Sequence, residues 1–280
     1  MTGQVYKAHS DKYAVKLNGE VITCTARGIL KWDREKIAVG DFVEVENGAI
    51  KRVVDRKNIF IRPFVSNVDV IVAVISPKPK PDFYLIDKLL INAIKEDVKV
   101  IFAVNKTDID SALFDSVCKN YEKLGIEILP VSAKENKGVD QLKEKLKGKL
   151  TVFAGQSAVG KTSLINAMFN LNLKTGDLSE KIERGKHTTT YSEIHEYGDV
   201  KVIDSPGFAV IEAFIKAEEI PEYYPEYFEL SSKCKFRGCT HTSEPNCEVK
   251  RAVLEGKLDK ERYDRYLEIY NELLKRRDFL

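Results

Sequence analysis

Hydrophobic and polar positions fall into three regimes along the 280 residues. Up to about residue 62, short runs alternate apolar with polar positions, at 4–7, 12–17, 21–25 and 41–45. Asn18-Gly19 and Asn47-Gly48 punctuate these runs. Period two between such turns predicts strands. About five strands in so short a stretch suit a small β-barrel of the oligonucleotide-binding (OB) type. From Pro63 the pattern changes. The continuous apolar run at 68–75 predicts a buried strand. Helical spacing follows over 82–96, with Phe83, Ile86, Leu89, Leu90 and Ala93 or Ile94 on one face. Strands and helices then alternate to about residue 212, which predicts an α/β domain over 63–212. Residues 213–280 open on acidic, aromatic sequence around Glu218, Glu219, Tyr223 and Tyr224. They end in a helix from about 259 to 277, whose stripe of Tyr263, Tyr266, Leu267, Tyr270 and Leu273 or Leu274 predicts packing against the rest of a 213–280 domain. The Ser76-Pro77-Lys78-Pro79-Lys80-Pro81 stretch predicts an exposed linker. Residues 172–190 carry neither period and are expected to order with a ligand.

Two sequence motifs sit in the strand–loop–helix and strand–end contexts that nucleotide chemistry needs. Gly155-Gln156-Ser157-Ala158-Val159-Gly160-Lys161-Thr162 lies between an apolar strand and a helix start at Ser163. Its glycines let backbone N–H groups surround phosphate oxygens at the positive end of a helix. Lys161 is expected to reach the β and γ phosphates, and Thr162 to ligate Mg²⁺. Asn105-Lys106-Thr107-Asp108 ends a second apolar strand. The Asp108 carboxylate can accept from guanine N1–H and the N2 amine, a donor pair adenine lacks. Ser132-Ala133-Lys134 ends the next strand, where a backbone N–H can meet guanine O6. Asp204-Ser205-Pro206-Gly207 offers a second Mg²⁺ contact at Asp204 and a γ-phosphate sensor at the Gly207 N–H. An ordinary GTPase runs phosphate loop, Asp-x-x-Gly, then Asn-Lys-x-Asp. Here the last comes first, so the order predicts a circularly permuted GTPase. Phe208 stands where many GTPases carry a water-orienting Gln. His187, in Gly185-Lys186-His187-Thr188-Thr189-Thr190, is the candidate for that task. Thr189, or its neighbours Thr188 and Thr190, is the candidate further Mg²⁺ ligand.

Cys234, Cys239, His241 and Cys247 lie within fourteen residues and hold three of the five cysteines. Three thiolates and one imidazole suit one closed, structural, tetrahedral Zn²⁺, with iron as the less common occupant. With no secretory segment ahead of them, a cytosolic setting and free thiols are expected rather than a disulfide. Cys24 and Cys118 are expected to be small hydrophobes, and His9 and His195 ordinary strand or loop residues. Net charge is only +2 with 31% charged residues, which speaks against a basic tail binder. Charge is unevenly placed, however. Residues 1–62 carry twelve Lys or Arg against eight Asp or Glu, and 233–251 carry Lys233, Lys235, Arg237, Lys250 and Arg251 against two acids. Either patch can meet phosphate backbones or be a solvated surface. Trp32 and Phe60 are candidate stacking platforms or core residues. No stretch reaches membrane-spanning length, and no heptad run predicts self-association, so a monomer is expected.

Taken together, these parts resemble the RsgA family, also called YjeQ or YloQ. The resemblance covers essentially the whole chain. Its most specific marks are the rotated motif order, Lys186-His187-Thr188-Thr189-Thr190, and Cys234-Lys235-Phe236-Arg237-Gly238-Cys239-Thr240-His241 with Glu244-Pro245-Asn246-Cys247. It implies a GTPase that binds the small ribosomal subunit and its rRNA late in assembly, hydrolyses GTP to GDP there, and leaves the matured particle. It also implies a role in hydrolysis for the His187 position. Two departures stand out. Ala158 replaces a usual Gly, acceptable if its φ is negative. Lys186 replaces a usual Arg, which keeps charge but loses a planar fork. Without the resemblance, a nucleotide-gated RNA-binding module or a GTPase acting on another RNA or protein remains open.

Overall fold

The computed structural model describes residues 1–26, 36–173, 192–204 and 214–276. Strands β1 (Thr2–His9), β2 (Lys12–Leu17), β3 (Glu20–Ala26), β4 (Phe42–Glu46) and β5 (Ala49–Val53) follow one another in the first regime. They pair in the order β1-β2-β3-β5-β4, and β1 also pairs with β4, which closes an OB-like barrel. Period two places Val5, Val15, Leu17, Cys24, Val43, Val45 and Ile50 inside it. Cys24 is therefore the small core residue expected, whereas Cys118 is only half-buried. A two-residue pair, β6 (Ile59–Phe60) with β7 (Val65–Ser66), leads out of the barrel. Phe60 is buried in the core beside Val39 and Val65, so it is a packing residue and not a stacking platform. Trp32 lies outside the described residues.

The central domain contains β8 (Val70–Ile75), β9 (Lys99–Val104), β10 (Glu127–Pro130), β11 (Leu150–Ala154), β12 (Glu193–Tyr197) and β13 (Val200–Asp204). Their order is β10-β9-β8-β11-β13-β12. The first five are parallel and β12 is antiparallel to β13. Both faces are covered, which is why β8, β9 and β11 read as unbroken apolar runs. Helices α1 (Phe83–Lys95) and α2 (Ala112–Tyr121) cover the face carrying Ile71, Ala73, Phe102 and Val152. Helices α3 (Val139–Leu146) and α4 (Lys161–Phe169) cover the face carrying Val70, Val72, Ile101 and Ala103.

The barrel does not hang from the sheet by its linker alone. Strand β1 bridges β12 at Lys7 opposite Glu193, so barrel and central sheet form one 11-stranded sheet. At the seam, the Lys16 and Lys201 ammonium groups lie 5.5 and 5.6 Å from the Tyr6 ring centroid. The Tyr6 hydroxyl donates to Glu196, and Lys201 donates to Gln4 at 2.9 Å. Below the seam, the buried Asp41 carboxylate accepts from Arg56, Ser66 and the Ala38 N–H. Those bonds fix the barrel to the segment entering β8.

The last region wraps short 3₁₀ turns (Ala217–Tyr223, Pro225–Tyr227) and α5 (Phe228–Ser231), α6 (Glu248–Leu254) and α7 (Lys260–Arg276) around a tyrosine-rich core. The α7 stripe buries Tyr263, Tyr266 and Leu273 as its spacing predicts, while Leu274 is exposed. It also buries Ile269 and Arg262, which the apolar pattern does not mark. The reason is α1. One face of α1, through Ile86, Leu89, Leu90 and Ala93, enters the central core. Ile91 on its other side enters the tyrosine core, and Ile94 is exposed. Between those faces Asp87 is sealed from water. It accepts from Arg262, Arg265 and the Tyr121 hydroxyl. Arg262 also pairs with Glu226, and its guanidinium lies 4.6 Å from the Tyr224 ring centroid. Two guanidinium groups thus balance two carboxylates, as burial demands.

Removing one partner of a buried ion cluster strands the others. Asp87→Ala is expected to lower unfolding free energy by about 3–5 kcal/mol in chemical denaturation. Lys260→Ala, which breaks an exposed pair with Asp264, is expected to change it by less than about 1 kcal/mol.

Candidate nucleotide site and metal centre

The sequence-predicted nucleotide residues come together at the carboxyl edge of the parallel sheet, where open α/β sheets bind ligands. Asn105 follows β9, Ser132 lies two residues past β10, Gly155 follows β11, and Asp204 ends β13. Gly155 adopts φ 132°, and a Cβ there would sit 2.4 Å from the Val74 carbonyl oxygen. Only glycine lets this loop leave β11 so close to β8. Asn105 ties three loops together. Its Nδ2 donates to the Val159 carbonyl at 2.9 Å, its Oδ1 accepts from the Ala133 N–H at 3.2 Å, and its N–H donates to Ile75. Lys106 Nζ reaches over the phosphate-type loop to the Ala158 carbonyl at 2.7 Å and also donates to the Lys78 carbonyl. The Lys78 backbone thus belongs to the site, and Ser76 in the same stretch is fully buried, so the expected exposed linker holds only in part. The Thr107 hydroxyl donates to the Val131 carbonyl at 3.1 Å. Ser132 Oγ donates to Asp108 at 2.7 Å, and that bond holds the Asp108 carboxyl below its usual range. Asp108 is therefore ionised at neutral pH.

Lys161 opens α4 and donates to the Gly155 and Gln156 carbonyls, both at 2.7 Å. Burial brings its ammonium down to about 8. Gly160 before it is left-handed, at φ 99°, and packs against Asn105 Nδ2. Thr162 is half-buried and Ser163 exposed. Gln156 Oε1 accepts from the Asp82 N–H at 3.0 Å, and Asp82 Oδ1 caps α1 by accepting from Leu85. The loop and the start of α1 are thus joined directly. His187, Thr188, Thr189, Thr190, Gly207 and Phe208 lie outside the described residues.

The ligand atoms of Cys234, Cys239, His241 and Cys247 all lie within 4.8 Å of one another. Cys234 and Cys247 Sγ are 4.0 Å apart, and His241 Nδ1 faces them at 3.8 and 3.4 Å. The other ring nitrogen, Nε2, is 2.9 Å from Ser231 Oγ, whose own proton goes to the Tyr227 carbonyl. Ser231 must then accept from Nε2–H, which leaves the Nδ1 lone pair toward the sulfurs. Burial raises the Cys239 thiol to about 12 and lifts the Cys247 thiol as well, so a cation is needed to hold thiolates there. The donor set therefore fits one metal ion. Backbone carbonyls of Thr240 and His241 accept from the Tyr266 and Tyr263 hydroxyls, which pins the cluster to α7.

A protein-family model described as the RsgA GTPase matches residues 53–214, and one described as the RsgA N-terminal domain matches residues 2–51. The chain belongs to the RsgA family. Relatives named small ribosomal subunit biogenesis GTPase RsgA include one from Geobacillus sp. (strain WCH70), 38% identical, covering 98% of both chains. Another, from Thermotoga petrophila, is 39% identical over 98% of this chain and 97% of its own. Among solved structures, YjeQ from Thermotoga maritima superposes with a TM-score of 0.83 at 36% identity, covering 98% of each chain. YloQ, described as a circularly permuted GTPase, gives 0.77 at 33%, covering 98% of this chain and 95% of its own. As an RsgA GTPase this chain is a GTP hydrolase, its three parts being a closed barrel, a permuted GTPase domain and a helical region with a Cys₃His cluster.

One feature of this RsgA chain departs from sequence expectation. Ala158 sits at φ 62°, in the left-handed region rather than at negative φ. A Cβ there costs about 1–2 kcal/mol relative to glycine. Gln156 and Lys106 are legible as loop residues, but their bonds to Asp82 and Lys78 are not, since one partner is a helix cap and the other a Pro-rich linker residue, each far away in the chain.

Ala158→Gly is expected to raise stability by up to about 1 kcal/mol, the extra freedom of glycine in the unfolded chain offsetting the rest, and Ala158→Val to lower it by about 1–2 kcal/mol, read by denaturant unfolding. Lys161 gives a pH dependence. A polyphosphate beside it raises its pKa, so binding takes up a proton once the free group is deprotonated. Affinity for GDP is then expected to be flat below about pH 7.5 and to fall several-fold by about pH 9, measured by titration calorimetry.

Proposed function

We propose that this chain binds the small ribosomal subunit through rRNA late in maturation, hydrolyses GTP there with stimulation by the subunit, and then leaves. The observation that carries the reading is the Asn105 tie, which joins a phosphate-type loop to a guanine-type loop in a chain whose full-length relatives are named for this task. In this reading Asp108 accepts from guanine N1–H and N2, and a backbone N–H of 132–134 meets O6. Gly155, Gln156, Ser157, Ala158, Val159 and Gly160 wrap the phosphates, Lys161 reaches the β and γ groups, and Thr162 and Ser163 close the helix end. Thr162, Asp204 and Thr189 would hold Mg²⁺, which supplies charge neutralisation between phosphates. Gly207 senses the γ-phosphate, and His187 orients the attacking water. Cys234, Cys239, His241 and Cys247 would hold a structural Zn²⁺ that fixes a surface and takes no part in hydrolysis.

Both outer parts connect to the site. Strand β12 begins three residues after Thr190 and carries the barrel on its edge. Helix α1 is bonded to Gln156 at one end and carries the C-terminal region through Asp87. Nucleotide state can therefore reach two anion-binding surfaces, whose joint engagement gains avidity. The division at 62/63 and 212/213 belongs to this reading, as do a cytoplasmic monomer and GTP-dependent release. Among the described residues no helix is long and apolar enough to cross a membrane.

GTP turnover measured with and without purified small ribosomal subunits tests the proposal. Turnover is expected to rise at least tenfold with subunits, and His187→Ala to lower the stimulated rate about a hundredfold. GTP-dependent binding with no stimulation would replace this reading with a nucleotide-gated RNA-binding module, as Phe208 in place of Gln allows. No binding would point to another partner. Elemental analysis is expected to find one zinc per chain, lost in Cys247→Ala together with order in the C-terminal region.

A further inference from the structure

One loop of the candidate metal region combines an exposed ring with exposed cations. Between the first two metal ligands the chain runs Lys235-Phe236-Arg237-Gly238, and all four residues are exposed, as are Ser232 and Lys233 before them. The ends of this loop are fixed by Cys234 and Cys239, while its tip stands clear. Gly238 is left-handed, at φ 69°, and no atom lies within 4 Å of where its Cβ would be. The Phe236 ring at this tip keeps 43% of its surface in water. Lys235 Nζ lies over that ring, 5.7 Å from its centroid.

Charge sets this loop apart from its surroundings. From residue 230 to 243 the sequence holds no Asp or Glu. Elsewhere in the region, Arg251, Lys257, Lys260, Arg262 and Arg276 each pair with a carboxylate. Among the described residues, no carboxylate pairs with Lys233, Lys235 or Arg237. An exposed ring flanked by three cations that pair with no described carboxylate, on a loop whose ends lie at the Cys₃His cluster, suits an unpaired nucleotide: the ring offers a π face, and the cations meet the adjoining phosphates. A protein surface rich in apolar side chains would leave those cations without partners.

We propose that the 233–238 loop is an RNA-binding knuckle in which Phe236 stacks on an unpaired base while Lys233, Lys235 and Arg237 hold the flanking phosphates. This rests on the reading that the partner is the small ribosomal subunit. It adds the residue and the kind of nucleotide that the C-terminal region takes. The metal's part is to hold the two ends of the loop, so that little conformational entropy is lost on contact.

The test uses the full, metal-loaded chain with a non-hydrolysable GTP analogue and purified small subunits. Phe236→Ala and Phe236→Leu are each expected to weaken binding roughly tenfold or more, and Phe236→Trp to retain it. All three should keep their metal content and unfolding midpoint. Across a salt series, Phe236→Ala should leave the slope of log affinity unchanged. Replacing Lys233, Lys235 and Arg237 with Gln should reduce that slope by about 2 to 3. A photo-reactive benzoylphenylalanine at position 236 should cross-link to rRNA. Phe236→Leu binding as well as the unmodified chain would overturn stacking, and cross-links confined to ribosomal protein would overturn the RNA assignment. Unmodified chain that binds while Phe236→Ala binds equally would sink the knuckle alone. Failure of the unmodified chain to bind subunits would remove the underlying reading, and shows itself without any variant.

Discussion

Parallel strands can be joined only by crossovers of a dozen or more residues, and those crossovers bring every carboxyl end to one edge of the sheet. The geometry of this chain follows from that constraint. Strand β8 lies in the middle with β9 and β10 to one side, and the chain returns across it to lay down β11 on the other. The reversal leaves a crevice between β8 and β11, and the phosphate-type loop sits in it. Gly155 can leave β11 so close to the Val74 carbonyl only because it has no Cβ. Rotating the order of the motifs along the chain does not disturb this arrangement, because strand neighbours in space are what place the loops.

The same constraint makes α1 the junction of the molecule. As the first crossover, between β8 and β9, it must pack on the sheet, and its capped end must lie near the loops. Its outer side is free to take another layer, and the tyrosine core with α7 takes it. A helix buried on two sides cannot turn without disturbing both, so α1 ties the C-terminal region to the sheet. The barrel is held differently, by one strand bridge, a polar seam around Tyr6 and the Asp41 bonds to the segment entering β8.

Much of this was legible in the sequence for particular reasons. Period two between Asn-Gly turns marked the barrel strands, unbroken apolar runs marked strands covered on both faces, and motifs at strand ends marked the nucleotide edge. Ligand type and spacing marked the Cys₃His cluster. What could not be read depends on partners far away in the chain. Asp87 and Arg262 look like solvated helix residues, because nothing local says that each will meet the other out of water. Phe60, between Ile59 and Ile61, lies in a core, whereas Phe236, between Lys235 and Arg237, lies on an exposed loop tip. Ala158 stands out in sequence as a departure from a usual glycine, but its positive φ is set by the loop's path and cannot be read there. The His187 and Gly207 positions, identified from motifs alone, lie outside the described residues and stay matters of sequence.

Asp87 and its partner Arg262 are 175 residues apart. A chain made at about 5–20 residues per second exposes the aspartate on the order of ten to thirty seconds before its guanidinium partner exists. During that time the sheet, the nucleotide edge and the inner side of α1 can all form, while Asp87 and Ile91 still face water. Synthesis order thus lets the nucleotide edge form before the C-terminal region, which can pack on the outer side of α1 only once α7 brings the charges that let Asp87 leave water.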